Sequence, residues 1–463
     1  MQLTINGKVC QAHEGDTILA AAEKNGVHIP TLCYLREINE IAACRVCVVQ
    51  VEGVKTYVPA CGTKAAEGMV VFTDSEDIRA ARRRTLELIC ADHEMECTEC
   101  PRGNNCELRQ LCKTYEVDDR AFGIGHREKL VDDSSVHLIR DNAKCVLCRR
   151  CTATCSKVQG ISAIFVGNKG RKTNVGFGLA LADTGCTGCG QCIASCPTGA
   201  LTEKDDTKKV WKAIYGKDKY VVAAITPAAY ESIASLFGAE KGGDLGKLCT
   251  ILRDIGADMV LDAGAYSQSC HAGELRAIEQ KLSEGKKPVL SASCPAWRKH
   301  IEKAYPHLTG NLLDFPSPRR VLAERCKAEL AGKDVFFVSI DNCTAAKYET
   351  DSDGVDAAIT TRELFAMIRR ACVSNFTANQ VWQSLRPSAP DALTGAEESA
   401  GISEKLAYEE KLLEIGGKTL HTVSVSGLAN AHRVLENAEK YDYIEVHACP
   451  GGCVHGGGAP HIP

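Results

Sequence analysis

The sequence predicts several small α+β domains in the first 210 residues, followed by one larger α/β domain. Three observations support this division. The chain of 463 residues is about three times as long as a usual domain of about 150 residues. Cysteine is unevenly distributed, since 18 of the 26 cysteines lie before residue 200. After residue 215, apolar strand-like runs alternate with helical segments, which is typical of an α/β region with a mainly parallel sheet.

The composition is that of an ordinary folded protein. Hydrophobic residues make up 44% and charged residues 25%, which excludes general disorder. A net charge of −4 does not favour nucleic acid as a partner, and we expect the basic run Arg82-Arg83-Arg84 to be a solvated helix face or a subunit contact. The sequence has no run of about 20 apolar residues and no signal-peptide pattern, so we expect a cytoplasmic protein without membrane contact.

Grouped cysteines in a reducing cytoplasm indicate bound metal, because a chain of this size does not need disulfides. Together with the changes in composition they predict four units. Residues 1–78 have strand-like runs around one helix, residues 79–125 are mostly helical, and residues 126–210 carry two similar cysteine arrays. Residues 215–463 form the α/β region, in which the Ala-, Ser-, Pro- and Glu-rich stretch 387–404 predicts a linker or mobile loop.

The first cysteine group predicts a [2Fe–2S] cluster. It consists of Cys33, Cys44, Cys47 and Cys61 in a strand–helix–strand context. Soft thiolate sulfur suits iron, and the close pair Cys44 and Cys47 can hold one iron atom. The alternative is a zinc site, but structural zinc sites usually have two C-x2-C pairs, and this group has one.

The second group predicts a [4Fe–4S] cluster with a histidine ligand. His93 is followed at regular spacing by Cys97, Cys100 and Cys106. A neutral imidazole in place of one thiolate makes the cluster less negative and alters its reduction potential. The alternative is that His93 is an ordinary surface or core residue.

Two further arrays each follow the pattern C-x2-C-x2-C-x3-C, which is that of bacterial ferredoxins with two [4Fe–4S] clusters. In this pattern the fourth cysteine of each array binds the cluster of the other array. The predicted ligand sets are therefore Cys145, Cys148, Cys151 and Cys196 for one cluster, and Cys186, Cys189, Cys192 and Cys155 for the other.

Four more cysteines stand in loops after apolar runs of the α/β region: Cys294, Cys343, Cys449 and Cys453. Loops after strands are the usual ligand-binding positions of an α/β fold, and four cysteines are enough for one more [4Fe–4S] cluster. The alternative is that they are inert and buried. We expect the seven remaining cysteines to be inert and buried, since free cysteine behaves as a small apolar residue. They are Cys10, Cys90, Cys112, Cys249, Cys270, Cys326 and Cys372.

Taken together, these motifs resemble the catalytic subunit of [FeFe]-hydrogenases with its accessory iron–sulfur domains, in particular the subunits of NAD(P)-linked, electron-bifurcating complexes. The resemblance covers the whole chain, and the first half is also similar to the iron–sulfur domains of complex I large subunits. It implies α+β ferredoxin-type iron–sulfur domains followed by an α/β [FeFe]-hydrogenase-like domain. The family holds its H-cluster with the signatures T-S-C-C-P-x-W, M-P-C-x-x-K-x-x-E and A-C-P-G-G-C. By this mapping the H-cluster ligands are Cys294, Cys343, Cys449 and Cys453, and the last would bridge the cubane to a two-iron subcluster.

The departures from the family fall on residues that serve the two-iron subcluster. By the resemblance, Ser293 replaces the proton-relaying cysteine, and a hydroxyl is far less acidic than a thiol with a pKa of about 8.5. Ala346 replaces a lysine that holds a cyanide, and Lys347 follows one place later, where a helix would turn its side chain by about 100°. His447 replaces a methionine before the third signature.

Further departures concern the cavity around the subcluster. The family's Met-Pro before the second signature cysteine is Asp341-Asn342, and its early A-P-x-x-R segment is Thr226–Tyr230. The stretch before the third signature is shorter than in the family and lacks a G-A-T-G-G segment. Glu274 and Glu279 are candidates for the glutamates of the family's proton path. We therefore expect the two-iron subcluster to be absent, with a plain [4Fe–4S] cluster or redox-idle cysteines at the H-cluster position.

The first functional hypothesis is an electron-transfer subunit, because several clusters in sequence imply transport of single electrons between separated sites. No G-x-G-x-x-G motif follows a strand-like run, so NAD(P)H oxidation must lie on a partner. The resemblance implies flavin- and iron–sulfur-bearing NAD(P)H-oxidising subunits and ferredoxin as partners, and a molybdenum or tungsten formate or aldehyde oxidoreductase as a candidate terminal partner. The alternatives are a functional [FeFe]-hydrogenase, which interconverts protons, electrons and H2, and an H2- or redox-sensing variant.

Overall fold

The computed structural model describes residues 1–103, 105–123, 129–237, 245–350, 354–371, 408–415 and 418–461. The stretch 387–404, expected to be a linker or loop, and Cys372 lie outside these residues. Within the described ranges, no helix is both long and apolar enough to cross a membrane.

The N-terminal part is a five-stranded sheet packed against one short helix, as the sequence predicts. Helix α1 (Ile18–Lys24) begins after Thr17, whose hydroxyl accepts a hydrogen bond from the Ala20 N–H and caps the helix. Leu3 and Ile5, alternate residues of the first strand, are buried in the same core as α1. The strands are β1 Gln2–Ile5, β2 Lys8–Gln11, β3 Val48–Val51, β4 Val58–Pro59 and β5 Val70–Phe72. Their order in the sheet is β2-β1-β5-β3-β4.

Two helices follow this sheet, α2 (Glu76–Ala91) and α3 (Glu107–Thr114). The expectation of a solvated basic face on α2 is wrong for Arg82, which is only 2% exposed. Its guanidinium donates hydrogen bonds to the Val48 carbonyl on β3 (2.8 Å) and to the Tyr115 hydroxyl after α3 (3.1 Å). Arg82 therefore ties the first sheet to both helices, whereas the other two arginines of the run are exposed.

A small antiparallel sheet joins the two ends of the segment that carries the cysteine arrays. The strand before the first array pairs with the strand after the second array, which brings the two arrays together. Each array contains one short helix, α4 (Arg150–Ala153) or α5 (Gln191–Ser195). The strands of this segment are β6 Val131–Asp132, β7 Leu138–Asp141, β8 Phe165–Gly167, β9 Asn174–Gly176 and β10 Leu201–Glu203. They form a sheet of order β10-β7-β6 and a β8-β9 hairpin.

The C-terminal region contains two four-stranded sheets instead of the one mainly parallel sheet that the sequence predicts. The strands are β11 Tyr220–Ile225, β12 Met259–Asp262, β13 Val289–Leu290, β14 Val335–Asp341, β15 Ala357–Thr360, β16 Tyr408–Ile415, β17 Lys418–Ser426 and β18 Tyr443–His447. One sheet is parallel with the order β12-β11-β14-β15, and the other, β13-β18-β17-β16, is parallel except for the β16-β17 pair. The apolar pattern does not reveal β15, which is built of small residues, or β16, which is rich in charge.

Helices pack against both of these sheets. Three of them begin with a proline, at Pro227, Pro295 and Pro318, because the N–H that proline lacks is not needed in the first helical turn. The helices are α6 Thr207–Gly216, α7 Pro227–Leu236, α8 Leu245–Ile255, α9 Ala263–Ser283, α10 Pro295–Ala304, α11 Pro318–Glu329, α12 Thr361–Ala371 and α13 Leu428–Leu435.

Three loops that follow parallel strands carry the C-terminal cysteines. Cys294 follows β13, Cys343 follows β14, and Cys449 follows β18. Because β14 belongs to one sheet and β13 and β18 to the other, these cysteines are supplied by both sheets. They lie at the carboxyl ends of the strands, where α/β folds bind ligands.

A pair of histidines links α10 to α13. His300 Nε2 lies 2.7 Å from His432 Nε2, and the two rings stack with their centroids 4.8 Å apart. Burial and the neighbouring His432 lower the pKa of His300 to about 4, and burial also lowers the pKa of His432. Both imidazoles are therefore neutral in the folded protein at neutral pH.

This pair predicts a loss of stability in mild acid. Because the folded pKa of His300 is about 4 and an unfolded histidine titrates at about 6.5, the unfolded chain takes up the proton first as the pH falls. The stability that the neutral pair contributes should be complete above about pH 7 and lost progressively between about pH 6.5 and about pH 4. The measurement is the difference in thermal unfolding midpoint between about pH 7.5 and about pH 5.5.

We expect this difference to be smaller in His300→Gln than in the unchanged chain. His28→Gln is the control, because His28 is an exposed histidine in another part of the chain. An equal difference in all three proteins would contradict the prediction.

Candidate metal centres

The four cysteines of the first group approach one another as two pairs. Cys47 Sγ lies 3.3 Å from Cys61 Sγ, and a thiol hydrogen bond with Cys44 lowers the pKa of Cys33 to about 6. The pairing expected from the sequence, Cys44 with Cys47, is not the one observed, because each contacts a cysteine from a more distant loop. Two thiol pairs, each able to hold one iron atom, suit a [2Fe–2S] cluster.

The second group lies between α2 and α3. His93 follows the end of α2 with its Nδ1 buried, and Cys106 stands directly before α3. Burial raises the pKa of the Cys106 thiol, and the nearby backbone N–H groups of Arg109 and Leu108 lower it. Cys97 and Cys106 both lie close enough to Cys100 to interact with it electrostatically. A helix N-terminus favours negative charge, so Cys106 is well placed to bind metal as a thiolate.

A cavity of about 330 Å³, including its open mouth, lies within the segment of the two arrays. The residues that line it include Arg140 and all four cysteines of one predicted crossover set: Cys145, Cys148, Cys151 and Cys196. The fold therefore brings Cys196, from the second array, to the three cysteines of the first array.

The other crossover set also comes together. Cys155 interacts electrostatically with Cys186, Cys189 and Cys192. Cys155 lies in a π turn, Thr154–Val158, that continues α4. Such irregular turns often mark functional sites, and here the turn separates Cys155 from the first array, to which it belongs in sequence.

The loops of the two arrays repeat the same backbone conformation. Leu147 and Arg149 in the first array have φ angles of 54° and 63°, and Gly188 and Gly190 take the same places in the second with 74° and 72°. Positive φ is easy for glycine but strained for leucine and arginine. Backbone turns of this kind form concave surfaces of N–H groups that bind anions. The strain is therefore explained if both loops hold negatively charged clusters.

The thiols of these sets are buried and close to one another. Burial raises the pKa of Cys186 to about 11 and that of Cys189 to about 12, and neighbouring cysteines also raise them. Such thiols stay protonated at neutral pH by themselves, whereas bound metal deprotonates a thiol ligand. Buried thiols in this arrangement therefore fit an iron–sulfur cluster.

Two buried arginines lie where the ferredoxin-type segment, residues 126–210, meets the first and second ligand groups. Arg102 interacts electrostatically with Cys106 and Cys196, and Arg150 with Cys33. Among the described residues, Nη1 of Arg102 and Nε of Arg150 are buried without a hydrogen-bond partner. Buried donors are almost always paired, and the sulfurs of a cluster accept hydrogen bonds. The unpaired N–H groups of these two arginines therefore fit clusters that lie next to them.

Direct contacts connect both N-terminal groups to the segment of the two arrays, residues 126–210. The Asn39 amide donates hydrogen bonds to the carbonyls of Cys33 (2.7 Å) and Cys148 (3.0 Å), which joins the first group to the ferredoxin-type segment. The second group touches the same segment, because a Cβ on Gly199 would lie only 2.5 Å from Cys100 Sγ. The first and second ligand groups therefore both contact the loops around the first crossover set, which is Cys145, Cys148, Cys151 and Cys196.

The second crossover set abuts the C-terminal cysteines. Cys189 interacts electrostatically with Cys449, and the Thr344 hydroxyl donates a hydrogen bond of 2.6 Å to a carbonyl of the second array. Gly190 packs so closely on Gly457 that a Cβ on Gly190 would lie 2.9 Å from the Gly457 Cα. Only glycine allows the two loops to approach in this way.

The four C-terminal cysteines lie together. Cys294, Cys343 and Cys449 each interact electrostatically with Cys453, and the first three also interact with one another. Cys453 is exposed, whereas Cys449 is buried. Four cysteine sulfurs around one point can hold a [4Fe–4S] cluster.

Lys347 points away from these cysteines, as the one-residue displacement predicts. It is 2% exposed, and its ammonium group donates to Asp206 (3.1 Å), Glu363 (3.0 Å) and the Ala358 carbonyl (2.7 Å). An ammonium group has three N–H donors, so these partners use all of them. Lys347 is therefore not available to a ligand at the cysteine site.

Charged groups stand where the family has an apolar methionine. Arg319 donates hydrogen bonds to Asp341 (2.9 Å) and Glu349 (2.5 Å), and all three side chains are largely or fully buried. Arg319 also interacts electrostatically with Cys343. This buried ion-pair network thus lies beside one of the four sulfurs.

Two other replaced positions lie next to cysteines of the site. Ser293 stands directly before Cys294 and is half-buried, and His447 Nδ1 lies 3.9 Å from Cys453 Sγ. Of the two candidate proton-path residues, Glu274 accepts a hydrogen bond from the Tyr443 hydroxyl (3.0 Å), whereas Glu279 is exposed.

The cysteines left out of the groups are mostly buried, as expected. The exception among the described ones is Cys112, which is partly exposed and lies with its Sγ 3.5 Å from Cys90 Sγ. The buried ones are Cys10, Cys90, Cys249, Cys270 and Cys326.

Comparison with known families supports this arrangement along the whole chain. Residues 219–457 match the family described as iron only hydrogenase large subunit, C-terminal domain. Three further matches cover the N-terminal part: a 2Fe-2S iron-sulfur cluster binding domain at residues 1–76, the NADH-ubiquinone oxidoreductase-G iron-sulfur binding region at 82–121, and a 4Fe-4S dicluster domain at 144–209.

Curated relatives align with this chain over different lengths. The NADP-reducing hydrogenase subunit HndD of Solidesulfovibrio fructosivorans is 32% identical over 100% of this chain and 89% of its own length. Iron hydrogenase 1 of Clostridium pasteurianum is 32% identical over 99% of this chain and 89% of its own length. The mitochondrial NADH-ubiquinone oxidoreductase 78 kDa subunit of Neurospora crassa is 32% identical, but the match covers 44% of this chain and 28% of that protein.

The fold and the grouped sulfur ligands define an iron–sulfur protein of electron transport that ends in a hydrogenase-type α/β domain. The hydrogenase match spans just over half of the chain, and the relatives that are 32% identical align along essentially all of it. The chain therefore belongs to the iron-only hydrogenase large-subunit family. It combines the domain of that family with [2Fe–2S] and [4Fe–4S] domains, part of them of the complex I type.

The contacts of Lys347 predict that its charge is needed for stability. Lys347→Met leaves the buried carboxylate of Glu363 without the cation it has here and leaves Asp206 with only the exposed Lys209, which should cost about 3–5 kcal/mol of unfolding free energy. The measurement is urea unfolding of the cluster-loaded chain.

The matched control is Lys209→Met, because Lys209 lies 3.5 Å from the same Asp206 but is largely exposed. Loss of an exposed ion pair should cost less than about 1 kcal/mol. If both variants lost the same stability, the interpretation of Lys347 as the cation of a buried network would be wrong.

Proposed function

We propose that the chain is the iron–sulfur electron-transfer subunit of a multisubunit oxidoreductase linked to NAD(P)H and ferredoxin, of the electron-bifurcating kind. One observation carries the proposal: contacts join five groups of sulfur ligands, from the N-terminal sheet to the C-terminal loops. Iron–sulfur clusters take up and release single electrons. The residues of this chain supply their ligands, their N–H donors and the short contacts between them.

Five sets of residues would hold the clusters. One [2Fe–2S] cluster and three [4Fe–4S] clusters occupy the N-terminal part, and a further [4Fe–4S] cluster occupies the H-cluster position. The sets are Cys33, Cys44, Cys47 and Cys61; His93, Cys97, Cys100 and Cys106; Cys145, Cys148, Cys151 and Cys196; Cys186, Cys189, Cys192 and Cys155; and Cys294, Cys343, Cys449 and Cys453. They lie within four units, at residues 1–78, 79–125, 126–210 and 215–463.

The contacts between the ligand groups support a branched path for electrons. Asn39 connects the first group to Cys148, and Gly199 packs against Cys100 of the second group, so both N-terminal groups meet the first crossover set. Beyond it, the second crossover set leads to Cys449 through the Gly190–Gly457 contact. Electrons from two N-terminal contact points would thus reach one C-terminal site.

The partners follow from what the chain lacks and from its relatives. The sequence has no dinucleotide fingerprint, so a flavin- and iron–sulfur-bearing subunit would oxidise NAD(P)H. HndD is named as a subunit of an NADP-reducing hydrogenase, and a further relative is the gamma subunit of the NAD-reducing hydrogenase HoxS of Cupriavidus necator. Ferredoxin would be the second redox partner, and a molybdenum or tungsten formate or aldehyde oxidoreductase is a candidate for the terminal one.

The C-terminal site supports electron transfer rather than H2 chemistry. Ser293 stands in place of the family's proton-relaying cysteine, and Lys347 uses its three donors on other groups. Next to Cys343, Arg319 and Asp341 form an ion pair where the family has an apolar methionine. A catalytic site tolerates only small displacements of its groups, so we infer that no two-iron subcluster is held here.

The second candidate function is a working hydrogenase. It is favoured by the full-length similarity to HndD and to Iron hydrogenase 1, both of which are named as hydrogenases or their subunits. All four family cysteines are present and lie together.

Iron content and infrared spectroscopy distinguish the two functions. For the chain produced together with the maturation proteins for the two-iron subcluster, we expect about 18 iron atoms and no carbon monoxide or cyanide bands. A working hydrogenase would instead contain about 20 iron atoms and show these bands. Reproducible H2 evolution by the isolated chain would overturn the electron-transfer proposal.

The division into separate clusters predicts the effect of removing one ligand. Cys294→Ser should release about four of about 18 iron atoms, because the other ligand sets do not include this residue. Cys326→Ser is the matched control, since Cys326 is a buried cysteine of the same region outside every group. We expect it to keep all the iron, as measured by iron analysis and paramagnetic resonance after dithionite reduction.

The outcome that would contradict the prediction is loss of the N-terminal clusters in Cys294→Ser. In that case the five sites would depend on one another for assembly.

A further inference from the structure

We propose that His137 is a positioning residue, which sets the reduction potential of the second ferredoxin-type cluster by donating a hydrogen bond to the sulfur of Cys186. The inference rests on the proposed function, because it takes Cys186 as a ligand of that cluster. Neither the cysteine spacing nor the resemblance points to His137, which lies 49 residues before Cys186 in the chain.

The histidine is held in one place by the surrounding structure. Its side chain is 1% exposed, and its Nε2 lies 3.5 Å from Cys186 Sγ. One face of the ring packs on Tyr348 with the centroids 5.0 Å apart, and Gly188 lies so close that a Cβ there would be 3.2 Å from the ring. The Lys204 N–H also donates to the His137 carbonyl (3.1 Å).

The partner of the other ring nitrogen determines where the proton lies. Ser135 Oγ accepts a hydrogen bond from the His137 backbone N–H (3.2 Å), and it lies closer to Nδ1, with which it forms a short hydrogen bond, than to Nε2 (3.4 Å). Nε2 is the ring nitrogen that faces the sulfur of Cys186. A metal-bound thiolate has no proton and only accepts. The proton therefore lies on Nε2, and the Ser135 hydroxyl donates to Nδ1.

This hydrogen bond favours the reduced state of the cluster. Reduction adds a negative charge, and a donor directed at a ligand sulfur stabilises that charge and raises the potential. Tyr348, which packs on the ring, lies in the loop after Cys343. His137 thus lies where the ferredoxin-type segment meets the C-terminal site, and it makes the cluster next to that site the better electron acceptor.

Two substitutions at this position distinguish the effect of the N–H donor from the effect of the packed ring. His137→Phe keeps a flat ring in the buried space but removes the N–H, whereas His137→Gln keeps an N–H donor at a similar reach. The measurement is a potentiometric titration of the whole anaerobically purified chain, followed by paramagnetic resonance. We expect His137→Phe to lower the reduction potential of one [4Fe–4S] component by at least 59 mV, which is a tenfold change in its one-electron equilibrium constant. We expect His137→Gln to recover most of this shift, and the remaining components to stay unchanged.

Two results would overturn the inference: an unshifted potential in His137→Phe, or equal shifts in both variants, since the ring would then matter only for packing. If His137→Phe does not retain its clusters, Ser135→Ala provides the test, because it removes the donor that orients the imidazole. A lowered potential in Ser135→Ala supports the inference, and an unchanged one overturns it. Failure of the proposed function is distinguishable, because the unchanged chain would then lack the ferredoxin-type clusters altogether.

Discussion

Cysteine sulfur packed in buried groups is the feature on which the other features of this chain depend. Thiols as close and as buried as Cys186 and Cys189 do not ionise by themselves, since both burial and neighbouring sulfurs raise their pKa. Iron reverses this preference, because it binds the thiolate. The left-handed backbone at Leu147 and Arg149 and the buried donors of Arg102 and Arg150 are costly unless a negatively charged cluster lies beside them. Folding of the N-terminal part and cluster binding are therefore coupled.

The C-terminal domain shows how one part of a site can persist while another part changes. The loops after β13, β14 and β18 still bring four cysteines together, because their positions depend on the strands and not on the residues in between. Around them, Asp341 and Lys347 form ion pairs with partners inside the protein. Satisfied ion pairs of this kind are costly to break, so these charges are fixed where they are.

The site was predictable from the sequence where ligands are close in the chain or follow a repeated pattern. The crossover sets were predictable because the spacing of the two arrays leaves little freedom, and the cavity around Cys196 follows that pattern. The pairing of Cys47 with Cys61 was not, because it depends on how two loops fold over the sheet. The same holds for Arg82, whose charge suggests a solvated surface but whose side chain joins β3 to the end of α3.

The amino-acid sequence by itself determined which residues are candidate metal ligands, into which groups they fall and which family the chain resembles. It could do so because cysteine spacing within a short loop is a local property. The tertiary structure alone decided which groups touch, through Asn39 and the Gly190–Gly457 contact, and which distant side chains modify them, such as Arg319 beside Cys343. These contacts join residues far apart in the chain, and no local pattern encodes them, since they arise only when separately folded segments pack together.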